Sequence, residues 1–210
     1  MKYFIIISIG VSITFGYIFL TDKNNQKSYS AQASVSETSE EVEIDDVSTL
    51  ENLDTSNFSE IQLEVLSVLK QEYVKHPTSF DDTVLKYTEG FEESWCGDFI
   101  SWVFNEVGSP FISQDVSYWR IPGVYTLQEY YDQYGLYYST SNYTPEFGDI
   151  AFYFGETPDG GSSQHVAIVL AVQDDNIITI GGNEGDDGIL QIRSDSYNSK
   201  GLEGFGASGL

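Results

Sequence analysis

The spacing of apolar residues changes along the chain, and each change predicts a different element. Tyr3 to Leu20 is a run of 18 residues without a charge, preceded by Met1 and Lys2, and its length approaches the thickness of a bilayer core. Residues 1–20 are therefore expected to enter a membrane. They do so either as a transmembrane anchor that stays, or as a signal segment removed after export at a small-residue site such as Ala31-Gln32-Ala33. On both readings the remainder lies outside the cytoplasm, anchored or secreted. Residues 21–57 then lose all apolar periodicity and are rich in Ser, Thr, Asn, Glu and Asp, which predicts a disordered acidic linker.

From residue 58 to 210 the pattern is that of a folded domain. Ser59-Glu60-Ile61-Gln62 has the form of a capping box, and the helix it opens carries Ile61, Val65, Leu66, Val68, Leu69 and Tyr73 before Pro77. Phe99, Ile100, Val103, Phe104 and Val107 predict a second helix, stopped by Gly108 and Pro110. A shorter third helix is expected over residues 126–134. Beyond Pro145 the apolar runs shorten and predict strands at 149–154, 165–172, 177–180 and 189–193, separated by Gly, Asp and Asn. Helices followed by an antiparallel sheet make the fold α+β.

Composition narrows the chemistry. Thirty-three acidic against nine basic residues give a net charge of −24, which argues against a nucleic-acid partner because phosphate contacts need Lys and Arg. A single cysteine, Cys96, excludes an internal disulfide and a Cys-rich zinc site, and His76 and His165 are the only histidines. Asp81-Asp82 and Asp186-Asp187 lack the alternation of a calcium loop and read as solvated acidic turns. No metal and no cofactor is expected.

Cys96 falls in the first turn of the second helix, where the positive end of the backbone dipole favours an anion and the free N–H groups can receive an oxyanion. A small buried hydrophobe is the alternative for a free cysteine. Asp98, about 200° round the helix from Cys96, is expected to support the first turn. His165 opens a strand and is placed to act as a base, whereas His76 sits at a helix end. The hairpin register bears on a third partner. A three-residue turn at Asp174-Asp175-Asn176 places Asn183 diagonally from His165 on the same face, together with Ala167 and Ala171, small enough for the Cys96 helix to approach. A two-residue turn at Asp174-Asp175 puts Glu184 opposite His165 instead. Asn183 is the preferred partner.

Four blocks in order, Trp95-Cys96-Gly97-Asp98-Phe99-Ile100-Ser101-Trp102-Val103, Gly148-Asp149-Ile150-Ala151-Phe152, His165-Val166-Ala167-Ile168-Val169 and Gly182-Asn183, resemble the CHAP family of cysteine, histidine-dependent amidohydrolases/peptidases. The resemblance runs from residue 60 to 207. It implies a papain-like fold, N-terminal helices packed on an antiparallel sheet, and an enzyme that cleaves peptidoglycan at the muramoyl–L-alanine amide or within stem or cross-bridge peptides. Cys96 then matches the nucleophile, His165 the base and Asn183 the residue that orients the imidazole. Many members carry Glu two positions before that Asn, where this chain has Gly181, so the orienting group is expected to be a neutral amide. A cysteine peptidase acting on proteins and a silent wall-binding module are the alternatives. The many tyrosines between 118 and 143 line a glycan groove or pack an irregular segment.

Overall fold

A computed structural model of the chain describes residues 47–112, 118–156 and 162–210. The expected membrane-entering segment, and the linker as far as residue 46, lie outside them. Among the described residues no helix is long and apolar enough to cross a membrane. The last part of the linker is a correction: Val47–Glu51 forms a helix, α1, whose Leu50 is completely buried. Five residues are too few to show a period in the sequence. One leucine is enough to hold the turn, since burying it contributes roughly 1.5–3 kcal/mol.

Helix α2, Glu60–Tyr73, begins as expected, with Gln62 N donating to Ser59 Oγ at 3.1 Å and Ser59 N donating to Gln62 Oε1 at 2.9 Å. Near its end the buried Glu72 accepts from Lys75 Nζ at 2.7 Å and from Tyr87 Oη at 2.6 Å, and also pairs with Lys86. That carboxylate ties α2 to the short helix α3, Leu85–Thr88, which follows a 3-10 turn at Asp82–Val84. Helix α4, Cys96–Glu106, turns Phe99, Ile100, Val103 and Phe104 inward, and α5 covers Val124–Gln133.

Six antiparallel strands follow: β1 Tyr137–Ser139, β2 Ile150–Glu156, β3 Ser162–Gln173, β4 Asn176–Glu184, β5 Ile189–Ser196 and β6 Leu202–Gly206, in the order β1-β6-β2-β3-β4-β5. Neither β1 nor β6 shows an alternating pattern in the sequence. Both are short, and β6 enters the sheet between β1 and β2, a pairing made by chain return rather than local pattern. Asp149 fastens this return. Its buried carboxylate accepts from Tyr143 Oη (2.8 Å), Glu146 N (2.9 Å), Ser208 N (2.8 Å) and Ser208 Oγ (3.1 Å).

The sheet separates two clusters. Val166, Ile168, Leu170, Ile178 and Ile180 face the helices and share a core with Phe99, Ile100 and Val103, whereas Ala151, Val169, Ile177, Leu202 and Phe205 cluster on the other side. The expectation that the Cys96 helix lies on the small-residue face is therefore overturned. Its own large side chains bury more apolar area against the branched face, and burial scales with area. The register near the hairpin is that of the two-residue turn, with Gln173 opposite Asn176 and Asp174 at φ 53°. The pairing then slips by one residue at Leu170, so that Val169 faces Thr179 and Ile168 faces Ile180.

Candidate active site

The paired positions of β3 and β4 end at Ile168–Ile180, and the start of α4 reaches the sheet just beyond them. Gly182 marks the contact: a Cβ there would lie 2.3 Å from Trp95 Cζ3 and 3.0 Å from Phe99 Cβ. Only glycine lets strand and helix meet this closely. Trp95, the residue that precedes α4, is fully buried, stacks on Tyr87 with centroids 5.4 Å apart, and donates its Nε1 hydrogen to Ser79 Oγ at 2.9 Å. The residue before Cys96 is thus held by stacking against one face of its ring and by a hydrogen bond at its edge.

The other side of the helix start is held by the segment ahead of α5. Ser101 Oγ accepts from Ile121 N (3.0 Å) and donates to Ile121 O (3.2 Å), and a Cβ at Gly97 would stand 2.5 Å from Pro122 O. The buried Asp98 carboxylate has Arg120 Nε 2.6 Å from its Oδ1, out of line for a hydrogen bond, and Arg120 also pairs with Glu93. Asp98 therefore anchors a neighbouring segment as well as standing in the first turn. No side chain caps the α4 N-terminus, which leaves its first N–H groups for a ligand oxygen.

Cys96 is 5% exposed and close enough to His165 to raise the imidazole's affinity for a proton. The imidazole's Nε2 is 2.6 Å from Glu184 Oε1. Behind it, Arg193 Nη1 donates to Glu184 Oε2 at 3.2 Å. Burial opposes a charge on the imidazole, but the hydrogen bonds to Cys96 and Glu184, and the charges of both, outweigh it and hold the His165 pKa up at about 10.

Of the three residues expected in the site, Cys96 and His165 are neighbours, and Asn183 lines the cleft beside the imidazole while Glu184 bonds the ring. Asn183 has φ 64°, in the left-handed region, and its Oδ1 accepts from Ser79 Oγ at 3.1 Å. That backbone turn, in the stretch between Gly181 and Glu184 where the β4–β5 pairing shifts register, breaks the strand alternation. Glu184 instead falls beside His165. The same place explains Gly181: a Cβ there would be 2.5 Å from Glu184 Oε1 and 2.8 Å from His165 Nε2. The carboxylate that the sequence does not carry at 181 arrives from 184, so the group bonded to the imidazole is a carboxyl and not an amide. The sequence held a signal for it, the two-residue turn, but not the slip at Leu170 or the left-handed Asn183.

A cleft of about 450 Å³ adjoins the imidazole, with Tyr153, Asn183, Glu184, Arg193 and Lys200 among its walls. Cys96 does not line it, so the cleft marks the imidazole side of the site and not the sulfur. Among the described residues no group of three or more His, Cys, Asp or Glu is placed to hold a metal ion. Tyr131 is buried in the core, while Tyr118, Tyr125 and Tyr134 are about half exposed on the surface.

Residues 86–183 match the family model of the CHAP domain. Over this segment the chain is similar to the CHAP domain. CHAP domains are generally cysteine/histidine-dependent amidohydrolases or peptidases with a papain-like fold, and the α+β architecture described above is of that kind. The match spans Cys96, His165 and Asn183 and stops one residue short of Glu184. No curated protein and no solved structure matches the chain.

Proposed function

We propose that the chain is an exported peptidoglycan hydrolase that cleaves a wall amide by thiol catalysis, as a muramoyl–L-alanine amidase or a stem or cross-bridge endopeptidase. The observation that carries this reading is the line Cys96, His165, Glu184, with Nε2 and Oε1 2.6 Å apart, at the uncapped start of α4 in the segment similar to the CHAP domain.

Cys96 transfers its proton to His165 and attacks the amide carbon, forming a carbon–sulfur bond. The N–H of Cys96 receives the oxyanion. Collapse breaks the carbon–nitrogen bond as the imidazolium gives its proton to the leaving amine. His165 then takes a proton from water, whose oxygen cleaves the thioester and restores the thiol. Glu184 holds one tautomer and stabilises the imidazolium throughout. The apolar run Tyr3 to Leu20 supports membrane entry, and a net charge of −24 supports tethering as the means of concentrating the domain near a wall of anionic polymers.

Mass spectrometry of purified peptidoglycan digested with the wild-type chain and with Cys96→Ala tests the reading. New amine and carboxyl termini at one type of amide, absent with Cys96→Ala, are expected and identify the bond. An intact wall together with cleavage of an unrelated protein overturns it in favour of a protein-directed peptidase. Binding to wall with no cleavage of either overturns it in favour of a silent module.

A further inference from the structure

We propose that Arg193 and Gly181 are positioning residues for the thiol–imidazole pair, Arg193 holding the Glu184 carboxylate from behind and Gly181 leaving the space it occupies. The proposal rests on the hydrolase reading above. The Glu184 side chain is only 5% exposed, and each oxygen has its own partner: Oε1 faces His165 Nε2 and Oε2 faces Arg193 Nη1 at 3.2 Å. A carboxylate held by one oxygen can turn about its last torsion, which is broad and soft. Binding the second oxygen removes that freedom and offsets the cost of a buried charge.

Arg193 is itself fixed. It stands opposite Thr179 across the β4–β5 ladder, and its Nη2 donates to Asp195 Oδ1 at 3.4 Å, while Asp195 Oδ2 accepts from Tyr153 Oη at 3.4 Å. The guanidinium therefore ties the carboxylate to the neighbouring strand β5 and, through Asp195 and Tyr153, to β2. Gly181 supplies the other half of the device. Because a Cβ at 181 would stand 2.5 Å from Glu184 Oε1 and 3.2 Å from Ala167 Cβ, any side chain there pushes the carboxylate out of line, with little room to give way.

The groups that face the imidazole are Cys96 from α4, Glu184 from β4 and Tyr153 from β2, whose ring centroid is 6.4 Å away, with Arg193 and Asp195 of β5 behind. The test is an NMR titration of His165 in the full chain, with His76→Gln removing the other histidine signal, alongside kcat/KM on purified wall. If Arg193 did no more than neutralise Glu184, Arg193→Met would raise the His165 pKa. Positioning predicts the opposite sign: a fall of about one unit, tenfold in proton affinity, with partial recovery in Arg193→Lys and a parallel loss in kcat. Gly181→Ala is expected to lower the pKa similarly, and to add nothing once Glu184→Ala is present. A rise or no change in Arg193→Met, or additive shifts for Gly181→Ala and Glu184→Ala, overturns the proposal. The titration needs no substrate, so an inactive enzyme with these shifts intact counts against the hydrolase reading alone.

Discussion

Glu184→Gln removes a buried negative charge from His165 while keeping the length and shape of the side chain. The bond it weakens is 2.6 Å long and lies at a side chain 5% exposed. A hydrogen bond of this charge-assisted kind contributes about 1.5–3 kcal/mol, so kcat/KM is expected to fall about 10- to 150-fold. The pH dependence follows with a definite sign. His165 is raised to about 10 from an ordinary value of about 6.5, so its contribution to stability is complete below the ordinary value and disappears as pH rises through the raised one. Glu184→Gln lowers the upper edge of that window, and its urea midpoint is expected to change less than the wild-type midpoint between pH 7 and 10. Initial rates of wall clearing measure the first effect, and urea unfolding at several pH values the second. Asn183→Gly is the comparator: it keeps the left-handed backbone, removes the bond to Ser79 Oγ, and is expected to retain most activity. Full activity in Glu184→Gln with loss in Asn183→Gly would refute the assignment of the orienting group.

Other perturbations probe the scaffold. Gly182→Ala sets a methyl 2.3 Å from the Trp95 ring, and overpacking of this kind costs about 1–3 kcal/mol; thermal melting should show the loss, and activity should fall with it because Trp95 precedes Cys96. Asp149→Ala strips partners from Tyr143, Glu146 and Ser208 and is expected to destabilise by at least about 1–3 kcal/mol, the cost of one orphaned buried donor, read as a lower urea midpoint. Burial would raise the Glu72 carboxyl, but its bonds to Lys75, Lys86 and Tyr87 outweigh this and hold it below the ordinary range. Its stabilisation is therefore present above that range and lost as pH falls, and Glu72→Gln is expected to flatten the acid limb of the stability profile.

Much of this architecture was legible where the signal is local. The capping box at Ser59 starts α2 as its residues dictate, and the apolar period from Phe99 to Val107 places Cys96 at a helix start because that period has one inward face. The hairpin was legible only to its turn. Two residues at Asp174-Asp175 fix its first pairs, but the slip at Leu170 and the positive φ of Asn183 arise from contacts with neighbouring strands, and each exchanges the faces of everything beyond it. Asn183 and Glu184 are adjacent in sequence, so a shift of one residue decides which of them bonds His165. The packing side of α4 is hidden from the sequence for a related reason. Small residues at Ala167 suggested room, whereas the helix carries Phe99 and Phe104, whose bulk is better covered by Ile168, Leu170 and Ile180.

Helix α1 has a practical bearing on how the enzyme can be handled. Leu50 is 0% exposed in the same core as Phe99 and Val166, so a recombinant fragment begun at residue 58 would carry a leucine-sized hole where α1 packs on α2. Vacating such a site costs about 2–5 kcal/mol, a sizeable part of the 5–15 kcal/mol that holds an ordinary domain together. Soluble versions for assay or crystallisation should keep the residues from 47 onward. Cleavage between 51 and 58 would leave a domain less stable than one that keeps α1.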